Sequence, residues 1–196
     1  IHANLEALTA VLEHLDAQGS DALVCLGDFV GYGPDPNECI DLLQSRLQAA
    51  VVGNHDQADK SGGHSLEVFK ALAHVVVMDQ PGWYTHASAP ELGVYAIPYR
   101  EDTNEVRRLL GTIPEAPASA TRRLLLLHTG FDGARTGPEE YRMASELSAG
   151  DVPDGFDLVL SGHYHGPQWM DERRRIAYIG ATTHQCWGDC NQPRGY

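Results

Sequence analysis

Residues 22–56 read ALVCLGDFVGYGPDPNECIDLLQSRLQAAVVGNHD, and the order of apolar runs in this stretch decides the fold class. Runs 22–26 (ALVCL) and 49–52 (AAVV) are short, unbroken and stopped by a glycine, the pattern of strands buried on both faces. Between them, residues 36–48 carry Ile40, Leu43 and Leu47 at spacings of three and four. With Pro36 at a tolerated first-turn position, this segment reads as an amphipathic helix. A helix crossing between two buried strands implies that they pair in parallel.

Working outward, Leu5, Leu8, Leu12 and Leu15 share one helical face and Gly19 follows as a stop, which predicts a helix over 4–18. Any strand leading into His2 is inferred, since only Ile1 stands before it. Downstream the pattern predicts a loop over 53–63, a short helix over 66–73, and strands at 75–77 and 93–97 around the Pro81-Gly82 turn signal, where a second layer would begin. Thr103 reads as the cap of a helix carrying Val106, Leu109 and Leu110, followed by a loop over 114–120. Then come a strand at 124–127 leading into His128, a helix over 138–147, a strand at 158–160, and a hairpin of 168–170 with 176–179 across 171–175. Helices alternate with strands early and strands dominate late, an order that favours an α/β fold of two mixed β-sheets packed face to face and flanked by helices, a four-layer α-β-β-α sandwich.

A chain of 196 residues without a low-complexity stretch or linker is expected to form a single domain, 1–196. The longest apolar runs, such as 75–78, are far too short to span a bilayer. Residue 1 is Ile rather than Met, so the domain is expected to be trimmed at its N-terminus. Four cysteines, Cys25, Cys39, Cys186 and Cys190, do not make a dense disulfide framework in a chain of this size, which points to a reducing cytoplasm. The net charge of -13 would repel a nucleic-acid backbone unless a local positive site overrides it. Metal ions are the natural candidate for such a site.

Asp28, Asn54, His128, His163 and His165 each lie at or just past the end of an apolar run, where a turn can aim a side chain into one cleft. His163 and His165 follow Ser161-Gly162, and in an extended segment alternate residues share a face, so two imidazoles would suit a transition metal. Gly27-Asp28 and Gly53-Asn54-His55-Asp56 follow buried strands and supply oxygen ligands, although each alone is ordinary turn chemistry.

Taken in order, His2, Gly27-Asp28, Gly53-Asn54-His55-Asp56, His128 and Gly162-His163-Tyr164-His165 resemble the motif series of the calcineurin-like metallophosphoesterase superfamily. The Asp of that series' opening Asp-x-His would stand immediately before Ile1. The resemblance implies two divalent transition-metal ions, with manganese, iron, zinc, cobalt or nickel all acceptable to a mixed His, Asn and carboxylate set. It assigns His2, Asp28 and His165 to the first ion and Asn54, His128 and His163 to the second, with Asp28 bridging. Two ions bring about four positive charges against about three negative from the upstream Asp, Asp28 and a hydroxide, leaving a site that attracts phosphate within an acidic protein.

The activity so implied is hydrolysis of a phosphodiester or nucleotide by metal-activated hydroxide, across ions about 3.5 to 4 Å apart. His55, not a ligand in the family pattern, becomes the catalytic general acid. Gly31 and Tyr32 stand where the protein serine/threonine phosphatase branch has Asp and Arg, which disfavours a phosphoprotein substrate. A DNA exonuclease of the same superfamily and a non-catalytic metal-bound binding module are the alternatives. Neither a membrane nor an oligomeric state is indicated, and nucleic acid is not favoured by charge.

The remaining histidines read more simply. His14 lies near the C-terminal end of the first helix, where a cation is mildly favoured, and His64, His74 and His86 lack ligand spacing and are expected to be structural or solvated. His184, Cys186 and Cys190 do not form a common zinc spacing, and Arg173 to Arg175 read as a solvated turn.

Overall fold

The computed structural model describes residues 1–58 and 62–196. Residues 59–61 of the expected loop 53–63 lie outside the described residues. The smaller sheet has the order β1 (Val24–Cys25), β2 (Ala49–Val51), β3 (Val76–Met78), all parallel. The larger has six strands in the order β10 (Gln168–Asp171), β11 (Ile176–Tyr178), β9 (Leu158–Gly162), β6 (Arg122–His128), β5 (Ala89–Ile97), β4 (Gly82–His86). It is mixed: β11, β9, β6 and β5 run parallel, and antiparallel β10 and β4 close its two edges.

The side-chain period of two divides the buried runs between layers. Ala50 and Val52 pack with Leu8 and Leu12 of α1 (Leu5–Gln18) and with Cys39 and Leu43 of α2 (Pro36–Leu43). The intervening Ala49 and Val51 face Ala96 and Leu126 of the other sheet. On the far side, Leu125 and Leu127 pack with Val106 and Leu110 of α3 (Thr103–Gly111). A four-leucine run is therefore strand rather than helix because both of its faces are covered.

Local chemistry sets the helix ends. The Asn4 side chain accepts the Ala7 N–H at 2.9 Å, and Gly19 closes α1 in the left-handed region at φ 69°. Asp102, one residue before the expected Thr103, caps α3 by accepting from Asn104 N–H. α2 ends at Leu43, short of the expected 48, and the 66–73 helix is a 3-10 turn at Ser65–Ala71.

The expected helix over 138–147 does not form. The chain makes instead a hairpin of β7 (Arg135–Thr136) and β8 (Tyr141–Arg142), turned through Gly137 and Glu140 at φ 75° and 54°. The backbone here is spent sideways: Gly133 N–H donates to Met143 O, Met143 N–H to Ala134 O, and Asp132 N–H to Leu147 O. Lateral pairing thus replaces the bonds a helix would need, overriding its local propensity. β4 was not legible, because its sequence GWYTH offers no apolar alternation. With β5 it forms the hairpin that opens the second sheet after Pro81.

Candidate metal centre

Four parallel strands end on the same side of the two sheets, and their carboxyl ends place the polar groups. Asp28 follows β1, Asn54 follows β2, His128 is the last residue of β6, and His163 follows β9. His128 Nδ1 donates to Leu26 O at 2.6 Å, a bond that crosses from one sheet to the other. Its Nε2 then faces the shared cleft, 3.0 Å from Asn54 Oδ1 and 3.3 Å from Asp28 Oδ2. His163 Nδ1 approaches the same Asn54 Oδ1, also at 3.0 Å.

His2 lies on the other side of Asp28, its Nε2 3.7 Å from Asp28 Oδ2 and its ring centroid 5.0 Å from those of both His55 and His165. The ligand atoms of His2, Asp28 and His55 all lie within 4.8 Å of one another. His163 and His165 do not share an extended face: β9 stops at Gly162, His163 takes φ 93°, and the bend sends the two rings to different neighbours. His163 meets Asn54, whereas His165 meets His2 and, through Nδ1, Asp189 Oδ2 at 2.9 Å.

The arrangement is held by one buried carboxylate and by close backbone approach. Asp56 accepts the N–H groups of Asp28 and Phe29 at 2.8 Å and of Gly53 at 3.0 Å, clasping two motif loops together. A Cβ on Gly53 would stand 2.2 Å from Asp28 Oδ1, so only glycine permits the loops to meet. His2, Ala3 and Asp28 occupy the left-handed region at φ 57°, 58° and 56°. Non-glycine residues held there cost on the order of 1–3 kcal/mol each, and three together at one site mark a conformation imposed by its surroundings.

Burial lowers the His2 pKa from 6.5 to about 3. Burial, and next the His128 ring, lowers His163 to about 4. Burial opposes ionisation of Asp28, but the His128 hydrogen bond and charge hold its carboxyl well below the usual range. The same bond outweighs burial at His128 and raises its pKa. The site thus keeps one ionised carboxylate among imidazoles, two of them neutral. His2 Nδ1 is buried without a hydrogen-bond partner. Unprotonated imidazole, amide oxygen and carboxylate converging at 3–4 Å form a donor set that fits divalent transition-metal ions.

Two neighbours of the site, Asp189 and Tyr99, carried no sequence signal, and a third, Tyr32, in sequence only disfavours a phosphoprotein substrate. Asp189, 24 residues beyond His165, also accepts the Gln185 N–H at 2.7 Å. Tyr99 stacks on His163 at 5.8 Å, and Tyr32 packs on His55 at 4.9 Å. Only the chain reversals of the fold bring Asp189 and Tyr99 to the cluster. His64 lies outside it, within reach of Glu67 and Asp79, both of which also pair with Lys70. The four cysteines are free thiols, and no described helix is long and apolar enough to cross a membrane.

Comparison with known proteins places these residues in a wider setting. Residues 1–167 match the family model described as calcineurin-like phosphoesterase. Protein MJ0912 of Methanocaldococcus jannaschii is 44% identical over 78 residues, covering 40% of this chain and 32% of that protein. Protein 078R of invertebrate iridescent virus 3, named as a phosphoesterase, is 27% identical over 192 residues. That alignment covers 91% of this chain and 52% of the viral protein, so the chain spans about half the length of that relative. Among solved structures, the calcineurin-like phosphoesterase YfkN from Bacillus subtilis aligns at a TM-score of 0.49 and 13% identity, over 94% of this chain and 73% of that one. A metallophosphoesterase from Sphaerobacter thermophilus aligns at 0.40 and 20%, over 93% and 74%.

Proposed function

Because the chain belongs to the calcineurin-like phosphoesterase family, whose members are metal-dependent phosphoester hydrolases, we propose that it hydrolyses a phosphodiester or nucleotide at a dinuclear centre. What supports this reading is the convergence on Asn54 Oδ1 of His128 and His163, each at 3.0 Å, beside Asp28. Asn54, His128 and His163 would hold one ion, His2 and His165 the other, and Asp28 both. When bound, the ions lower the pKa of a shared water and promote in-line displacement at phosphorus.

The chain's own residues prepare that chemistry. Asp28 supplies a charge that needs no deprotonation at neutral pH, since its pKa is already depressed. His2 and His163 are neutral there for the reasons given above. Leu26 O fixes the His128 ring so that Nε2 faces the cleft. His55 is tied by its backbone N–H to Asp28 Oδ1 at 3.0 Å, leaving its ring available to protonate the leaving oxygen.

β1 is an edge strand among the described residues, with Val24 43% exposed. A cavity lined by Ile1, Leu8, Leu12, Val24 and Leu26 opens beside it and reaches Asp28.

The native full-length protein should hydrolyse bis(p-nitrophenyl) phosphate with added manganese, and Asp28→Ala should abolish most of that rate. No turnover with any divalent metal would favour the binding-module alternative. Degradation of DNA would favour the exonuclease, which the charge of -13 disfavours.

A further inference from the structure

Tyr32 is 55% exposed, yet its ring centroid lies 4.9 Å from His55, 5.0 Å from His2 and 6.2 Å from His165. The backbone just after it is tied to residues 2 and 3. Gly33 N–H donates to His2 O at 2.7 Å, and Asp35 N–H to Ala3 O at 3.0 Å. Gly31, at φ 129°, fits so closely that a Cβ there would stand 3.0 Å from His2 Nδ1. The loop therefore fixes a phenol ring on the rim of the imidazole cluster, with one side against the histidines and the other in solvent. On the opposite flank Tyr99 already stacks on His163 and is half-buried. Trp187, 90% exposed, begins the turn whose Asp189 binds His165.

An aromatic surface fixed before a ligand arrives loses little conformational freedom on stacking. A planar group attached to a phosphate in the cleft would reach this ring, whereas an aliphatic group offers it no π-face. The charge of -13 disfavours a long polyanion, which leaves a small nucleotide. Resting on the phosphoester reading above, we propose that Tyr32 is a stacking platform that selects substrates carrying a nucleobase beside the phosphate.

The test uses two probes of equal phosphate charge, AMP and glycerol 3-phosphate, titrated calorimetrically into the manganese-loaded protein. The wild type should favour AMP by on the order of tenfold, the usual worth of one base stacked on one aromatic ring. Tyr32→Leu keeps bulk without a π-face and should bring the ratio of the two dissociation constants near one, while Tyr32→Phe should preserve it. No preference in the wild type overturns the platform, and so does a preference that survives in Tyr32→Leu, which would leave Tyr32 as a shield for His55. Turnover of bis(p-nitrophenyl) phosphate is measured separately. An AMP preference without turnover sinks the phosphoesterase reading alone, and turnover without preference sinks the platform alone.

Discussion

Asp189 Oδ2 lies 2.9 Å from His165 Nδ1, joining a turn near the end of the chain to a histidine of the site. Asp189 is buried and is anchored by the N–H of Gln185 at 2.7 Å and of Cys186 at 3.3 Å, so it orients the ring rather than following it. A carboxylate on one ring nitrogen fixes the tautomer and makes the other nitrogen more basic toward a metal. Asp189→Ala should therefore weaken manganese binding by about 10- to 100-fold, read by titration against a competing chelator. Unchanged affinity would reduce Asp189 to a loop anchor.

The depressed histidines make a second prediction, for the metal-free protein. His2 and His163 titrate at about 3 and about 4, against 6.5 when unfolded. Between those values the unfolded chain binds more protons than the folded one, so stability falls as pH falls through that window. His128, raised by Asp28, adds no slope there because both states hold its proton below 6.5. Asp28, depressed, adds stability above 3.8 and loses it as pH falls below. The urea midpoint of chelated protein should drop between about pH 6.5 and about pH 4, with each histidine contributing up to about 1.4 kcal/mol per pH unit. His2→Gln should flatten the slope, and a midpoint constant across the window would show that these rings are not neutral when folded.

Gly53 is the third point of test. A methyl group there meets Asp28 Oδ1 at 2.2 Å and the backbone Asp28 N at 2.5 Å, the first held by the His55 N–H and the second by the Asp56 carboxylate. Gly53→Ala should cost about 1–3 kcal/mol, the usual range for overpacking, and should impair manganese binding at the same time. The control is Gly63→Ala, where an added Cβ meets nothing within 4 Å. Equal urea midpoints for the two variants would contradict the close approach of the two loops.

What the sequence made legible follows from where information is local. The runs at 49–52 and 124–127 disclosed buried strands because both faces of each are covered, whereas the run at 22–26 yields only the two-residue β1 with Val24 exposed, and residues 36–43 disclosed the crossover helix through their spacing. Asp28, Asn54 and His128 were legible because a strand end announces itself. Residues 138–147 misled because their helical propensity is outweighed by pairing with residues 132–135, a contact no local window contains. The bend after Gly162 was equally hidden. A glycine and two histidines fit an extended segment as well as a turn, and only Asn54 and Asp189, on opposite sides, pull the rings apart.

His55 offers the sharpest separation of roles. Its N–H bond to Asp28 is a backbone bond and survives removal of the ring. The ring itself lies edge-on to His2 and tilted against Tyr32, half-buried at the cleft. As a general acid it matters in proportion to the proton the leaving oxygen needs. His55→Ala should lower turnover of an alkyl phosphodiester by about 100-fold or more, and that of bis(p-nitrophenyl) phosphate far less, because nitrophenolate leaves without a proton. Because its ligand atom also lies within 4.8 Å of those of His2 and Asp28, a role as metal ligand predicts something different: equal losses on both substrates, accompanied by loss of manganese. Full activity of His55→Ala on the alkyl ester would remove the assigned acid, since no other role for the ring leaves that reaction untouched while keeping His55 in the chemistry.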